Sequence, residues 1–189
     1  MDLRRLIDEL SRPAAYPHSA DDLRVIQTHI SVVFLAGGYA YKVKKPVRLG
    51  FLDFSTLDRR RHDCEEEVRL NRRLAADVYL GVVPVTDGPA GLRVGGDGPA
   101  VEWAVRMRRL PEGASLLDRL RRGELTAPLV ERVAAVVADF HRRADGGAQV
   151  AAFGRLAVVA GNARDILAEA APSRSGRRSS RRCSTGCGR

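Results

Sequence analysis

The chain has 189 residues, 44% hydrophobic and 29% charged, enough for one ordinary domain with a buried core. It holds no run of eighteen apolar residues, which argues against a membrane span. Its net charge of +9 falls to +3 once the six arginines of "PSRSGRRSSRRCSTGCGR", residues 172–189, are set aside, so a nucleic-acid partner is not expected of the folded part.

The first segment, "MDLRRLIDELSRP", places Leu3, Leu6, Ile7 and Leu10 on one side of an amphipathic helix. It lacks the apolar run and cleavage site of a signal peptide, and a cytoplasmic location is expected. A turn-rich connector, "PAAYPHSADD", follows. Strands are predicted near 23–28, 31–36 and 39–45, with Gly37-Gly38 as a hairpin signal. "RLGFLDF" reads as a loop. Ser55 is the predicted N-cap, with Asp58 three residues on, of a long helix from about 56 to 75. Cys64 lies on that helix, far from Cys183 and Cys187. The spacing suits neither a zinc site nor a disulfide framework and fits a reducing compartment. "YLGVVPVTD" reads as a short strand. "GPAGLRVGGDGPAVEWAVRMRRL" reads as a glycine-rich loop with a hairpin, its second strand near 100–109, with Trp103, Val105 and Met107 on one face. "PEGASLLDRLRRGEL" holds a turn and a short helix. Thr126 caps a further helix that stops before Gly146, with Leu129, Val133, Val136, Val137 and Phe140 as its expected buried stripe. Strands, a helix, more strands and then helices make an α+β order.

Chemistry is concentrated in "YAYKVKK". On a strand, Ala40, Lys42 and Lys44 share one face while Tyr41 and Val43 share the other. An ammonium in an apolar strand either snorkels at the strand end or is anchored by a carboxylate and aimed at a phosphate. The kinase form of the second arrangement is a Val-Ala-Ile-Lys strand paired with a helix glutamate. Tyr39-Ala40-Tyr41-Lys42 aligns with it, and Lys44, on the same face, stays open as the alternative. The glutamate comes from "HDCEEEVRLNRRLA". Stepping about 100° per residue around the helix puts Leu57, Cys64, Val68, Asn71 and Leu74 on one arc. Glu67 falls inside that arc, Glu65 at its boundary and Glu66 outside. Glu67 therefore needs a cation, whereas Glu65 and Glu66 are expected to pair with Arg60, Arg61, Arg69 or Arg73 at helical spacing.

"THISVVFLAGGYAYKVKKPVRLGFLDFSTLDRRRHDCEEEVRLNRRLAADVYLGVVPV", followed by "VEWAVRMRRLPEGASL", resembles the aminoglycoside phosphotransferase-like kinases. The resemblance is to the bacterial group in which such a domain precedes a P-loop ATP-binding domain. It covers about residues 22–171 and is densest at 28–85. It implies a protein-kinase-like small lobe, an antiparallel sheet plus one long helix, followed by the first helices of the large lobe. The implied organisation is an N-terminal helix and connector (1–21), the small lobe (22–110), the start of an incomplete large lobe (111–171) and a basic tail expected to be disordered (172–189). It further implies a nucleotide partner, with ATP and Mg2+ as cofactors, and a small-molecule hydroxyl as acceptor. Lys42 would hold the α/β-phosphates, Glu67 would position it, and Ala40 would let adenine lie flat. Met107 would sit at the gatekeeper-like position, with Arg108 to Leu110 as the hinge. Thr28 and Ser31 of "QTHIS" occupy the place of the phosphate-covering loop, which here is not glycine-rich.

Other parts of kinase chemistry are missing from these residues. There is no G-x-x-x-x-G-K-[ST] loop. "DFHRRAD" matches a His-Arg-Asp loop only superficially, because it lies on a helix and no asparagine follows at the required spacing. No His-Gly-Asp type loop or metal-binding aspartate motif follows, so no catalytic residue and no metal ligand is assigned. The expectation is a truncated or frameshifted product, inactive as it stands. The alternative expectation is a non-catalytic binding or regulatory module that self-associates through an exposed lobe face.

Overall fold

The computed structural model describes residues 2–170; the basic tail and its expected disorder lie outside the described residues. The chain groups into two units, Met1–Val130 and Glu131–Arg189.

The first unit is α+β. Helix α1 (Leu3–Leu10) starts at Asp2, whose side chain accepts the Arg4 N–H. Strands β1 (Arg24–Gln27), β2 (Ser31–Ala36) and β3 (Tyr39–Lys44) follow the connector. Gly37 turns the β2–β3 hairpin at a φ of 55°. A Cβ there would also meet the Ser19 carbonyl oxygen at 2.5 Å, so both the backbone and the packing require glycine. "RLGFLDF" is not a plain loop: β4 (Arg48–Leu49) and β5 (Leu52–Asp53) pair as a small hairpin. Two strands of two residues each carry too little alternation to be read from sequence.

Helix α2 (Leu57–Ala75) is capped by Thr56, not Ser55. The Asp53 carboxylate takes the Ser55 N–H at 3.0 Å, and the chain one residue later presents the Thr56 hydroxyl to the Arg59 N–H. Strands β6 (Tyr79–Gly88), β7 (Gly91–Val94) and β8 (Ala100–Arg108) complete a six-stranded antiparallel sheet in the order β1-β2-β3-β8-β6-β7. β6 is longer than its sequence suggests because it pairs with β8 on one side and β7 on the other.

One face of the sheet is closed by α1. Leu6 and Leu10 pack with Phe34, Tyr41, Val43 and Ala104 in the larger apolar cluster. α1 is also held by charge: Arg5 forks onto both oxygens of Asp87 at 2.8 Å, and Glu9 accepts the Leu92 N–H at 2.7 Å. On the other face, Cys64 and Val68 of α2 pack with Trp103, Val105 and Met107, the three β8 residues expected to share a side. Contact is made around the middle of α2. Asn71 and Leu74, placed on the apolar arc by the helical period, are exposed. A short helix, α3 (Leu116–Arg121), ends with Gly123 just beyond it at a φ of 71°.

Helix α4 (Ala127–Arg143) begins in the first unit and runs into the second, where α5 (Ala148–Phe153) and α6 (Leu156–Ala170) follow. The expected buried stripe of α4 is not buried. Val133, Val136 and Val137 are exposed, and Leu129 and Phe140 are half-buried. The 3.6-residue period marks an amphipathic helix but names no surface to cover it. No helix among the described residues is long and apolar enough to cross a membrane.

Candidate functional site

The β3 alternation and the α2 period bring three charged groups together. Lys42 and Lys44 stand two residues apart on the sheet face that α2 covers. Glu67 enters from the helix between them. The Lys42 Nζ donates to Glu67 Oε1 at 2.9 Å, and the Lys44 Nζ donates to Oε2 at 2.9 Å. Both lysines left open by the sequence therefore reach the same carboxylate. They differ in access: the Lys42 side chain is 29% exposed and that of Lys44 only 8%, with Glu67 at 13%. The Lys44 ammonium also lies 4.9 Å from the centre of the Phe54 ring.

Burial pushes the Glu67 carboxyl up. The hydrogen bonds and charges of Lys42 and Lys44 outweigh that and hold it below its ordinary range. Burial likewise pushes the neighbouring Cys64 thiol up to about 12, so this sulfur stays protonated and is no nucleophile. Tyr79 is raised as well, by burial first and by the Glu67 charge second.

Glu65 and Glu66 do what their outward angles require. Glu65 pairs with Arg61 at 2.9 Å and Glu66 with Arg69 at 2.6 Å. Arg60 departs from the expected surface pairing. It is buried, its Nε lies 3.0 and 2.9 Å from the two Glu102 oxygens, and its Nη1 donates to the Phe54 carbonyl at 2.8 Å. This second ion pair, with side chains 6% and 3% exposed, is not among the sequence expectations. Two signals pointed to it. Arg60 falls on the same helical arc as Glu67, and Glu102 is the one acid in the apolar strand "AVEWAVRM".

Ala40 is buried on the lysine face, and its register partner across the sheet is Met107, half-buried beside Val105 and Tyr79. Beyond it, the Arg108 N–H donates to the Val78 carbonyl and the Arg109 N–H to the Gly38 carbonyl, while Leu110 is exposed. Thr28 closes the β1–β2 turn: its hydroxyl accepts the Ser31 N–H at 3.0 Å and donates to the Ser31 carbonyl at 3.2 Å. The Ser31 hydroxyl is buried opposite Lys44 in the β2–β3 register and has no hydrogen-bond partner among the described residues.

No family model matches the chain, and no solved structure matches it. Uncharacterized proteins of Mycobacterium tuberculosis and Mycobacterium bovis are 36% identical to it over 145 residues, which is 77% of this chain and 28% of each of theirs. The chain thus spans under a third of the length of the curated relatives it matches.

Proposed function

We propose that residues 22–110 form the nucleotide-binding lobe of an aminoglycoside phosphotransferase-like kinase, whose intact form moves a phosphoryl group from ATP to a small-molecule hydroxyl. The observation that carries this reading is the 2.9 Å contact between Lys42 and Glu67, 25 residues apart, strand to helix, on the face that also holds Ala40 and Met107. Lys42, the more exposed lysine, meets the phosphates, and Glu67 aims it. Ala40 and Met107 bound the adenine. The Arg108 and Arg109 N–H groups already have partners, so the hinge contacts to adenine fall to Leu110 and to main-chain carbonyls. A phosphate suits this face, because two ammonium groups share one carboxylate. Magnesium suits it less. Among the described residues no group of three or more His, Cys, Asp or Glu side chains is placed to hold a metal ion, and this reading gives them none of the metal's chemistry.

Calorimetry with ATP and magnesium on the full chain tests the reading. Wild type binds, and Lys42→Ala and Glu67→Ala weaken binding by about tenfold or more, the scale of one lost hydrogen bond to a charged group. Equal affinity in all three proteins would sink the assignment. A second reading, a binding module that pairs with itself, is favoured by the exposed Val136, Phe153, Leu156, Ile166 and Leu167 of α4 to α6. Sedimentation velocity separates the two: a concentration-dependent dimer that ignores ATP supports the second.

A further inference from the structure

We propose that Lys44 is a positioning residue, a second and buried counter-ion that keeps Glu67 charged and in place while Lys42 engages the nucleotide. The inference rests on the reading of this face as a nucleotide site. With a single lysine, the carboxylate faces a conflict. Once the ammonium swings toward a phosphate, a largely buried carboxylate is left with a weakened partner beside an incoming anion. It must then take up a proton or repel the ligand. Here each carboxylate oxygen has its own lysine at 2.9 Å. Lys42 is the accessible one and can leave. Lys44 is held on the Phe54 ring, and the Phe54 carbonyl is itself held by Arg60, which is locked to Glu102. Lys44, at 8% exposure against 29% for Lys42, is the one that stays with the carboxylate.

The surroundings leave this work to Lys44. Facing Glu67 are Lys42 and Lys44 from β3, Tyr79 from β6 and Cys64 from its own helix. The tyrosine and the thiol are neutral near pH 7. Asn71 donates to the Glu67 main-chain carbonyl at 2.8 Å, not to its carboxylate. With two cations to one anion, the cluster keeps one surplus positive charge. Binding a phosphate can then use Lys42 without uncovering Glu67.

The test uses the full chain in two arms. In the first, without ligand, the 13C signal of the Glu67 carboxyl is titrated in wild type, Lys42→Met, Lys44→Met and Lys44→Arg. The expected result is a low titration in wild type and Lys44→Arg, and an upward shift in both Lys42→Met and Lys44→Met, since each ammonium donates to one carboxylate oxygen at 2.9 Å. In the second arm, ATP binding is measured calorimetrically near pH 6 in two buffers of different ionisation heat. Binding to Lys44→Met should take up a proton that binding to wild type does not, and Lys44→Arg should restore wild-type behaviour. Wild type taking up more protons on binding ATP than Glu67→Gln overturns the proposal, even where Lys44→Met fails to fold. So does Lys44→Met behaving as wild type in both arms. If wild type does not bind ATP, the nucleotide reading fails, and the first arm still shows whether Lys44 holds Glu67 charged.

Discussion

The two covers of the sheet attach by different physics. α1 lies on a broad apolar cluster that includes Phe34, Tyr41, Val43 and Leu92, and its ion pairs sit at the rim. α2 lies on a smaller cluster around Cys64, Val68 and Val105 and is held beside it by two sets of ions, the partly accessible Glu67 with its lysines and the buried Arg60 with Glu102. Apolar packing is non-directional and tolerates sliding. A largely buried carboxylate between two cations favours one position for the helix, at a desolvation cost that packing alone would avoid. The comparison assigns stability mainly to the α1 side and geometry mainly to the α2 side.

The largest effect should come from the apolar side. Phe34→Ala, at a fully buried position, is expected to cost about 3–5 kcal/mol in urea unfolding, near the limit for a domain of this size. On the ionic side, Arg60→Met should cost a similar ~3–5 kcal/mol, because it strands Glu102. The double variant Arg60→Met/Glu102→Leu should recover most of that loss. If it does not, the ions carry stability as well as position, and the contrast between the two sides fails.

A pH dependence comes next. The Glu67 carboxyl is lower in the folded chain than in the unfolded one, where it titrates at about 4.3. Its contribution is therefore complete above that pH and is lost as the pH falls through the folded value. Unfolding free energies measured between about pH 6 and pH 3 should drop more steeply in wild type than in Glu67→Gln. Parallel curves would mean that the lysines do not hold the carboxylate charged. Thr56→Ala should cost about 1 kcal/mol through the loss of the α2 cap. The smallest change is expected at Glu66→Ala, under about 1 kcal/mol, since Arg69 and Glu66 pair in solvent.

The sequence disclosed the Lys42, Lys44 and Glu67 cluster better than it disclosed the surroundings. Period-two alternation put Lys42 and Lys44 on one face, and the helical period turned Glu67 inward, because both periods are fixed by backbone geometry. Neither period could choose between the lysines, since both lie on the correct face and only their depth in the fold separates them. Arg60 was within reach of the same angular argument. A surface pairing is the ordinary expectation for it, because arginine is rarely buried and the acid that holds it lies 42 residues away. The α4 stripe failed for a related reason. Amphipathicity describes a helix, whereas burial describes a helix and its neighbour. The tiny β4–β5 hairpin failed because two-residue strands have no pattern.

The fork from Arg5 to Asp87 joins residues 82 positions apart, and α1 finds its apolar seat partly on Leu92. On a ribosome α1 emerges before the strands it needs, which are still being made. At roughly 5–20 residues per second, it waits several seconds before those strands are outside. During that interval Leu6 and Leu10 have no native surface to cover them. α1 is thus made well before the strands it docks on, and a nascent chain halted before β7 should offer it to any chaperone that binds short amphipathic helices.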